Sequence, residues 1–423
     1  MDIKITEALF VKDQLNDLIS EKDVESYSFK EFDNIKKIII NIVPIYISEN
    51  IMDISSPKYH DNMFKDLLKK IIGINKKFIK DEVELILYSF LRGFYRFIIP
   101  RRSYPGTFVR KIKNKQDLQY KIDYLKNTYQ PPQRTKEWHK FRHDLITAST
   151  AHEAFGAQGS INRLIYSKCQ PLDLDKVDKV YINSPCHHGN RFEPVALMIY
   201  EKKFNTKVDD FGCIRDNVYQ YLGASPDGIC VDNTSPLFAR MVEIKCVTTR
   251  EITGIPLKSY WIQMQIQMGV CRLNECDFVE CKFSKYEDED EFNCDGNFYE
   301  SEDGKTKGII LFFIDDKTGN PVYEYKPLEQ SPEEFCTWEK EQIDKHTKLG
   351  HIWNNNIYWK LDIFSCVLVL RNKLWFKSAV VKLGEIWDII LKERITGYEH
   401  RAPKKRVFKN SFENEGCLIK LDL

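Results

Sequence analysis

Two short segments of the sequence carry side chains suited to chemistry on a charged substrate. They are Ser-Pro-Asp-Gly at 225–228 and Val-Glu-Ile-Lys at 242–245. The second segment reads as a strand over 240–247, and because side chains alternate along a strand, Glu243 and Lys245 share one face. A carboxylate and an ammonium at the edge of a core strand are unfavourable to bury unless they have a partner or a purpose.

Asp227 stands in a Pro-Asp-Gly turn, which we expect to join two short strands over 219–224 and 229–231. A hairpin of this kind would bring Asp227 next to Glu243. Two convergent carboxylates form a site for a hard divalent cation such as Mg²⁺, which activates a bound water and neutralises charge on a reacting phosphate. Lys245 could hold that water or that phosphate. These residues alone are equally compatible with a turn aspartate and a surface Glu–Lys pair.

Two neighbouring segments add polar groups to this pair. Glu193 is expected in or just before the first turn of a helix over 195–203, where it offers a third carboxylate. The stretch 260–268 reads as a largely buried helix in which Gln263 and Gln267 share one face. Amides beside a metal site can orient a water or a phosphate, and the alternative is a solvated amide face.

A further segment upstream could bind a phosphate. Trp138 and Arg142 are four residues apart on an expected short helix, and 147–149 (Thr-Ala-Ser) would cap a second helix. A guanidinium beside a hydroxyl and the free N–H groups of a helix N-terminus forms a phosphate site. The same residues also fit an ordinary helix cap next to a surface arginine.

The composition restricts the class of protein only loosely. The 423 residues include 63 Lys and Arg against 62 Asp and Glu, a balance that neither requires nor excludes a nucleic-acid partner. The 12 cysteines of this long chain, without an apparent signal peptide, indicate an intracellular protein with reduced thiols. No apolar run approaches the length of a membrane span. The irregular spacing of Cys271, Cys276, Cys281 and Cys294 gives little support to an iron–sulfur cluster.

The first part of the chain reads as a helical extension over 1–130, with apolar residues at helical spacing over 63–74 and 81–97. Its last stretch, 100–126, is basic. That stretch fits a solvated linker or helix face, and it also fits a contact with a DNA backbone or a strap between domains. A Pro-Pro pair at 131–132 marks the expected boundary.

The second part alternates short helices and strands. Nine acidic residues without a Lys or Arg indicate a solvated loop over 286–304, which would repel a polyanion and is expected away from the substrate. The runs 309–314 and 322–325 predict a hairpin, and Ser331 with the proline after it predicts a helix start. The tail, 396–423, is basic.

Five motifs in order carry a resemblance to a known family. They are E-W-x-x-x-R-x-x-x-I-T-A-S, G-x-x-x-E, S-P-D-G, E-I-K-C and Y-x-x-Q-x-Q, within 134–283. Together they resemble the lambda-type exonucleases, especially the YqaJ-like viral recombinases of phages and large DNA viruses, in the PD-(D/E)XK nuclease superfamily. The likeness implies an α/β (α+β) fold with a restriction-endonuclease-like core, a mixed central sheet flanked by helices. The nuclease domain would span 131–395, after the helical N-terminal extension.

The resemblance also implies roles for individual residues. Catalytic metal ligands would be Glu193, Asp227, Glu243 and the carbonyl of Ile244. Lys245 would assist the nucleophilic water, and Gln263 matches the glutamine beside the active site. The pocket for the 5′ phosphate of a DNA end would consist of Arg142, Ser149 and Ser225.

The implied activity is that of an Mg²⁺-dependent exonuclease, with Mn²⁺ as a substitute, which degrades linear double-stranded DNA 5′ to 3′ in viral recombination, repair or replication. Implied partners are double-stranded DNA ends and a single-strand annealing protein, with no membrane, and a viral protein of this kind would work in the host cytoplasm or the virion. Family members can form ring-shaped homo-oligomers, although the extension puts a ring in doubt here. Two alternatives are an endonuclease on the same fold and a catalytically inactive DNA-end binding protein. The intact set Glu193, Asp227, Glu243 and Lys245 argues against the latter.

Overall fold

The computed structural model describes residues 29–110, 114–173 and 180–403, so the first 28 residues and most of the basic tail lie outside the description. Three helices open it: α1 (Phe29–Glu49), α2 (Tyr59–Ile74) and α3 (Lys80–Phe97). Apolar residues at helical spacing bury one face of each, which confirms the two helices expected over 63–74 and 81–97.

Eight further helices and ten strands follow in the described part of the chain. The helices are α4 (Lys115–Asn127), α5 (Lys136–His143), α6 (Gln158–Cys169), α7 (Pro185–Phe204), α8 (Lys258–Val270), α9 (Glu289–Cys294), α10 (Pro332–Lys348) and α11 (Lys373–Thr396). Short 3₁₀ helices span Ile51–Ser55, Ala151–Phe155 and Glu399–Arg401. The strands are β1 (Ile146–Thr147), β2 (Val208–Asp209), β3 (Ile214–Arg215), β4 (Leu222–Ala224), β5 (Gly228–Cys230), β6 (Met241–Cys246), β7 (Glu275–Lys285), β8 (Lys307–Asp315), β9 (Pro321–Tyr325) and β10 (His351–Leu370).

A seven-stranded mixed sheet forms the centre of the molecule, in the order β2-β5-β6-β7-β10-β8-β9. The β6–β7 pair is parallel, and the other neighbours are antiparallel. Val242 and Ile244 face α7 in one apolar cluster, whereas Met241 and Phe278 join α8 in another. The sheet is therefore covered by helices on both faces, which confirms the predicted mixed sheet and its helical N-terminal extension.

The two short strands around Asp227 exist, but they do not form the predicted hairpin. β4 pairs with β1 and β3 in a separate three-stranded sheet, whereas β5 pairs with β2 and β6. The proline at 226 cannot donate to a strand ladder, and the chain crosses from the small sheet to the large one at this point.

The helix that carries Glu193 starts earlier than predicted. α7 begins at Pro185, after Ser184 whose side chain accepts a hydrogen bond from the backbone N–H of His187, so Glu193 lies in its third turn. Pro194 sits inside the helix without ending it. The burial of neighbouring residues on the sheet offsets the loss of one backbone hydrogen bond at that proline.

Two further expectations for the second part are found in the structure, whereas the acidic stretch 286–304 is not simply a solvated loop, because it buries Phe292. β8 and β9 form the predicted hairpin, and Ser331 caps α10 in a reciprocal capping box with Glu334. The acidic stretch includes the short helix α9, and its Asp295 pairs with Lys360 on β10. Within the described residues, no helix is both long and apolar enough to cross a membrane.

Candidate functional site

Glu243 is the centre of a polar site on the face of β6 that α8 covers. Its side chain has 0 % exposure, and both of its carboxylate oxygens accept hydrogen bonds. Gln263 Nε2 donates to Oε1 at 2.6 Å and Gln267 Nε2 donates to Oε2 at 2.7 Å. Lys245 also donates to Oε1. The helical spacing of four residues brings both amides to one carboxylate, which holds it in a single orientation.

Asp227 joins this site through the pairing of β5 with β6. Gly228 lies opposite Val242, and Asp227 Oδ2 therefore accepts a hydrogen bond of 2.7 Å from the backbone N–H of Ile244. The same oxygen lies 3.9 Å from Lys245 Nζ. One ammonium thus contacts two of the three predicted metal-binding carboxylates, Asp227 and Glu243.

Glu193 reaches the site from α7, beside a residue that the motifs did not single out. Arg134 Nη2 lies 3.5 Å from Glu193 Oε2, and Arg134 takes a left-handed backbone conformation with φ of 65°. Asn190 accepts from the same guanidinium nitrogen at 3.4 Å. The one sequence signal for Arg134 was its place next to the Pro-Pro pair, at a change in chain character.

The site holds an excess of negative charge. Burial, and then the charge of Asp227, raise the pKa of both Glu243 and Glu193 to about 7. Burial alone would lower the pKa of Lys245, but the carboxylates of Glu243 and Asp227 outweigh it and the pKa is raised. Lys245 therefore stays protonated at neutral pH and serves as a hydrogen-bond donor.

The donor chemistry fits a hard divalent cation, because carboxylate oxygens are the ligands that such an ion prefers and its charge would balance theirs. Glu193, Asp227 and Glu243 act on one another electrostatically. Nevertheless, the part of the chain that the structure describes contains no group of three or more His, Cys, Asp or Glu side chains placed to hold a metal ion. Lys245 lies between two of the carboxylates in this arrangement.

The three residues expected to bind a phosphate also lie together. Arg142 Nη2 donates to Ser149 Oγ at 2.9 Å, and Trp138 Nε1 donates to Ser225 Oγ at 3.2 Å. The Arg142 guanidinium lies 4.0 Å from the centre of the Trp138 ring, so the arginine both stacks and hydrogen-bonds. Gln267 Nε2 donates to the Ser225 carbonyl at 3.2 Å, which connects this pocket to Glu243.

The expected helix cap at 147–149 is wrong. Ile146 and Thr147 form β1, Thr150 precedes only a five-residue 3₁₀ helix, and no side chain caps that helix. The pairing of β1 with β4 extends the chain here. Any phosphate affinity of this pocket must therefore come from side chains rather than from the N-terminus of an α-helix.

Two further cations lie at this pocket that the sequence did not reveal. Lys168 is 7 % exposed and its Nζ donates to the Arg142 carbonyl at 2.8 Å. Burial, and then the nearby Arg142, lower the pKa of Lys168 to about 8. Arg215 packs on Phe141, and its Nε is buried without a hydrogen-bond partner among the described residues. Neither residue has a motif around it, because both reach the pocket through the tertiary fold.

Comparison with known proteins agrees with the motif order. Residues 137–274 match the family model of the YqaJ-like viral recombinase domain. An uncharacterized protein of Acanthamoeba polyphaga mimivirus is 28% identical over 345 residues, which cover 74% of this chain and 60% of that protein. The chain thus spans about three fifths of the length of this relative.

Among solved structures, two of an alkaline exonuclease (LHK-Exo) from Laribacter hongkongensis, one of them in complex with dAMP, are similar to this chain. Each is 18% identical, covers 63% of this chain and 95% of its own, and has a TM-score of 0.34. The family match is the stronger finding, and it includes Glu193, Asp227 and Glu243. Over residues 137–274, this chain is therefore similar to the YqaJ-like viral recombinase domain family.

Proposed function

We propose that the protein is a divalent-metal-dependent deoxyribonuclease that degrades linear double-stranded DNA from its ends, in the 5′ to 3′ direction. The observation that carries the proposal is Glu243, a wholly buried carboxylate held by Gln263, Gln267 and Lys245 beside Asp227. A buried charge with this many dedicated donors is expensive to maintain for stability alone.

Mg²⁺, with Mn²⁺ as a substitute, is the proposed cofactor. Glu193, Asp227, Glu243 and the carbonyl of Ile244 would hold it. When bound, the ion acidifies a water and neutralises charge on the phosphate that is attacked. Lys245, kept protonated by its two carboxylate neighbours, would donate a hydrogen bond to the attacking water or to a phosphate oxygen.

Arg142, Ser149 and Ser225 would hold the 5′ phosphate of the DNA end. A terminal phosphate carries more charge than an internal phosphodiester, and the guanidinium with two hydroxyls offers donors suited to it. Lys168 and Arg215 would add positive charge to the same pocket. Holding the new end after each cut would let the protein proceed along one strand.

The cheapest decisive experiment compares linear duplex DNA with covalently closed circular DNA in the presence of Mg²⁺. We expect the linear DNA to be degraded and the closed circle to stay intact, with EDTA preventing cleavage. Cleavage of the circle would favour an endonuclease on the same fold. Binding of ends without cleavage of either DNA would favour an inactive end-binding protein.

The biological setting is part of the same proposal. The viral relative and the family name support a role in viral DNA recombination, repair or replication. A single-strand annealing protein that takes over the 3′ strand left by degradation is the expected partner. Sedimentation of the purified protein alone and with DNA would measure whether it forms homo-oligomers.

A further inference from the structure

A second group of basic and polar side chains lies where α7 meets the edge strand β9. His187 and Arg191 are one helical turn apart and both contact Tyr323 on β9. Lys285, the last residue of β7, acts electrostatically on His187 and is included with these residues. We call His187, Arg191, Lys285 and Tyr323 the Tyr323 cluster.

Tyr323 is the hub of this cluster. Its hydroxyl accepts a hydrogen bond of 3.1 Å from Arg191 Nε and lies 2.7 Å from His187 Nε2. The Arg191 guanidinium also lies 5.2 Å from the centre of the tyrosine ring. Arg191 is only 5% exposed, so its orientation is fixed by packing as well as by the hydrogen bond.

Among the residues described here, no Asp or Glu forms an ion pair with Arg191 or Lys285. Burial, and then Arg191 and other cations, lower the pKa of His187, and burial followed by Lys285 lowers the pKa of His188 to about 4. A buried arginine without a carboxylate partner is unfavourable unless an anion joins it.

The position of the cluster connects it to the proposed active site. Arg191 and Glu193 are two residues apart on α7, so their side chains leave the helix at nearly the same level but in different directions. β7 runs parallel to β6, with Cys281 opposite Cys246, so Lys285 lies beyond the end of the strand that carries Lys245. Burial, and then the neighbouring Tyr323, raise the pKa of Tyr325 on β9, and Glu193 and Arg191 both act on it electrostatically.

We infer that the Tyr323 cluster binds a backbone phosphate of the DNA substrate, at a linkage close to the one that is cut. This inference rests on the proposed nuclease function. Arg191 supplies a guanidinium held in place by Tyr323, and the exposed Lys285 supplies a second, mobile cation. The contact would position the strand without reading its sequence.

The first test measures the salt dependence of DNA binding in an Asp227→Asn background, so that the DNA is not cut. For one neutralised phosphate, the double change Arg191→Gln with Lys285→Gln should reduce the slope of log K against log[salt] by about 0.9. Lys340→Gln is the matched control, because Lys340 is exposed on α10. It should leave the slope unchanged.

The second test locates the phosphate. Duplexes that carry a single uncharged methylphosphonate at successive linkages around the cut are compared by cleavage rate. At one linkage, the methylphosphonate should lower the cleavage rate of the parent protein. It should not lower the rate of the Arg191→Gln, Lys285→Gln protein any further, because that protein has already lost the contact. The KM of the double variant should rise more than its kcat falls. Deoxynucleoside monophosphates are then added as competitors. Competition that depends on Arg191 and Lys285 would mean that the cluster binds a released product rather than a linkage of the DNA.

Several results would overturn the inference. They are an unchanged salt slope, equal sensitivity of both proteins at every linkage, or a variant defect confined to monophosphate binding. Lys285→Gln alone, at an exposed position, provides a second variant if the Arg191 change lowers the unfolding temperature. A parent protein that neither binds nor cuts DNA would contradict the proposed function itself, which is a different outcome from a nuclease indifferent to these changes.

Discussion

Lys245 contacts Glu243 and Asp227 at once, so each of these three side chains can be tested for a different defect. Asp227→Ala and Glu243→Gln should abolish Mg²⁺-dependent cleavage, because both remove a proposed ligand charge. Lys245→Ala should lose cleavage while Mg²⁺ still binds. Initial rates on linear duplex and calorimetric titration with Mg²⁺ provide the measurements. Turnover like that of the unchanged protein in any of the three variants would refute the mechanism.

Two glutamines on α8 offer a matched pair of substitutions. Gln263 donates to Glu243, whereas Gln265 points the other way, donates to the Leu370 carbonyl and accepts from the backbone N–H of Asn372. Gln263→Leu should lower activity by about 10- to 100-fold, the usual effect of losing a group that orients a metal ligand. Gln265→Leu should instead destabilise the fold by about 1–3 kcal/mol, since it leaves a buried carbonyl and N–H unpaired.

Urea unfolding and cleavage rates on both variants separate these two effects. If Gln263→Leu lost stability and kept its full rate per folded molecule, its contact with Glu243 would be structural. The sequence already predicted that Gln263 and Gln265 lie on different faces of the helix, because residues two apart on a helix point in different directions.

Arg142 both stacks on Trp138 and donates to Ser149, so its two contacts require separate measurements. We expect the unchanged protein to degrade duplexes with 5′ phosphates faster than duplexes with 5′ hydroxyls. Arg142→Ala should shrink that preference more than it slows cleavage of the hydroxyl-ended DNA. Loss of the stacking contact should cost about 0.5–2 kcal/mol in stability. Equal rates on both ends in the unchanged protein would remove the reason to place an end pocket here.

At the scale of single elements, a buried ionic network fastens the chain before α4 to the strands β6 and β7. Arg240 has 0 % exposure, and its guanidinium lies 2.8 Å from Glu275 and 3.3 Å from Asp277. It also donates to Thr107 Oγ1 at 2.9 Å and to the Phe108 carbonyl at 3.0 Å. The network therefore joins a loop and two strands.

Arg240→Ala should destabilise the protein by about 3–5 kcal/mol, because it removes the cation that pairs with the buried Asp277 and the nearer of the two arginines at Glu275. Lys37→Ala is the control, since Lys37 forms an exposed ion pair with Asp33 within one helix and should matter by less than about 1 kcal/mol. Chemical denaturation of both variants measures the difference. Similar stabilities would mean that Arg240 is not needed to balance Glu275 and Asp277.

The elements show where sequence reasoning succeeded and where it could not. The strand over 240–247 and the capped start at Ser331 depend on local spacing and local hydrogen bonds, and both are found. The hairpin around Asp227 and the cap at 147–149 depended on which distant strand each segment pairs with. Short strands of two or three residues carry too little pattern to settle that choice.

At the scale of the whole molecule, the helical extension and the recombinase-like part share one hydrophobic cluster. It includes Ile39 on α1, Phe90 on α3, Trp261 on α8 and Trp375 on α11. Trp261 Nε1 also donates to the Arg102 carbonyl at 2.8 Å. Periodicity showed that each helix has an apolar face, but not which partner that face would meet. The division at residues 130 and 131 stays a prediction.

A short backbone pairing also joins the extension to β10, and it predicts how fragments of the protein should behave. Tyr104 N–H donates to the Leu368 carbonyl at 3.0 Å, and Leu368 N–H donates to the Gly106 carbonyl at 2.9 Å. The pairing of β8 with β10 ends at residue 360. Residues 104–106 therefore pair with the edge of β10 that β8 leaves open. An unpaired strand edge of this kind can pair with another copy of the chain and so lead to aggregation. A fragment that starts at residue 131 should therefore be found mainly in the insoluble fraction after expression, whereas a fragment that keeps residues 29–130 should stay in the soluble fraction.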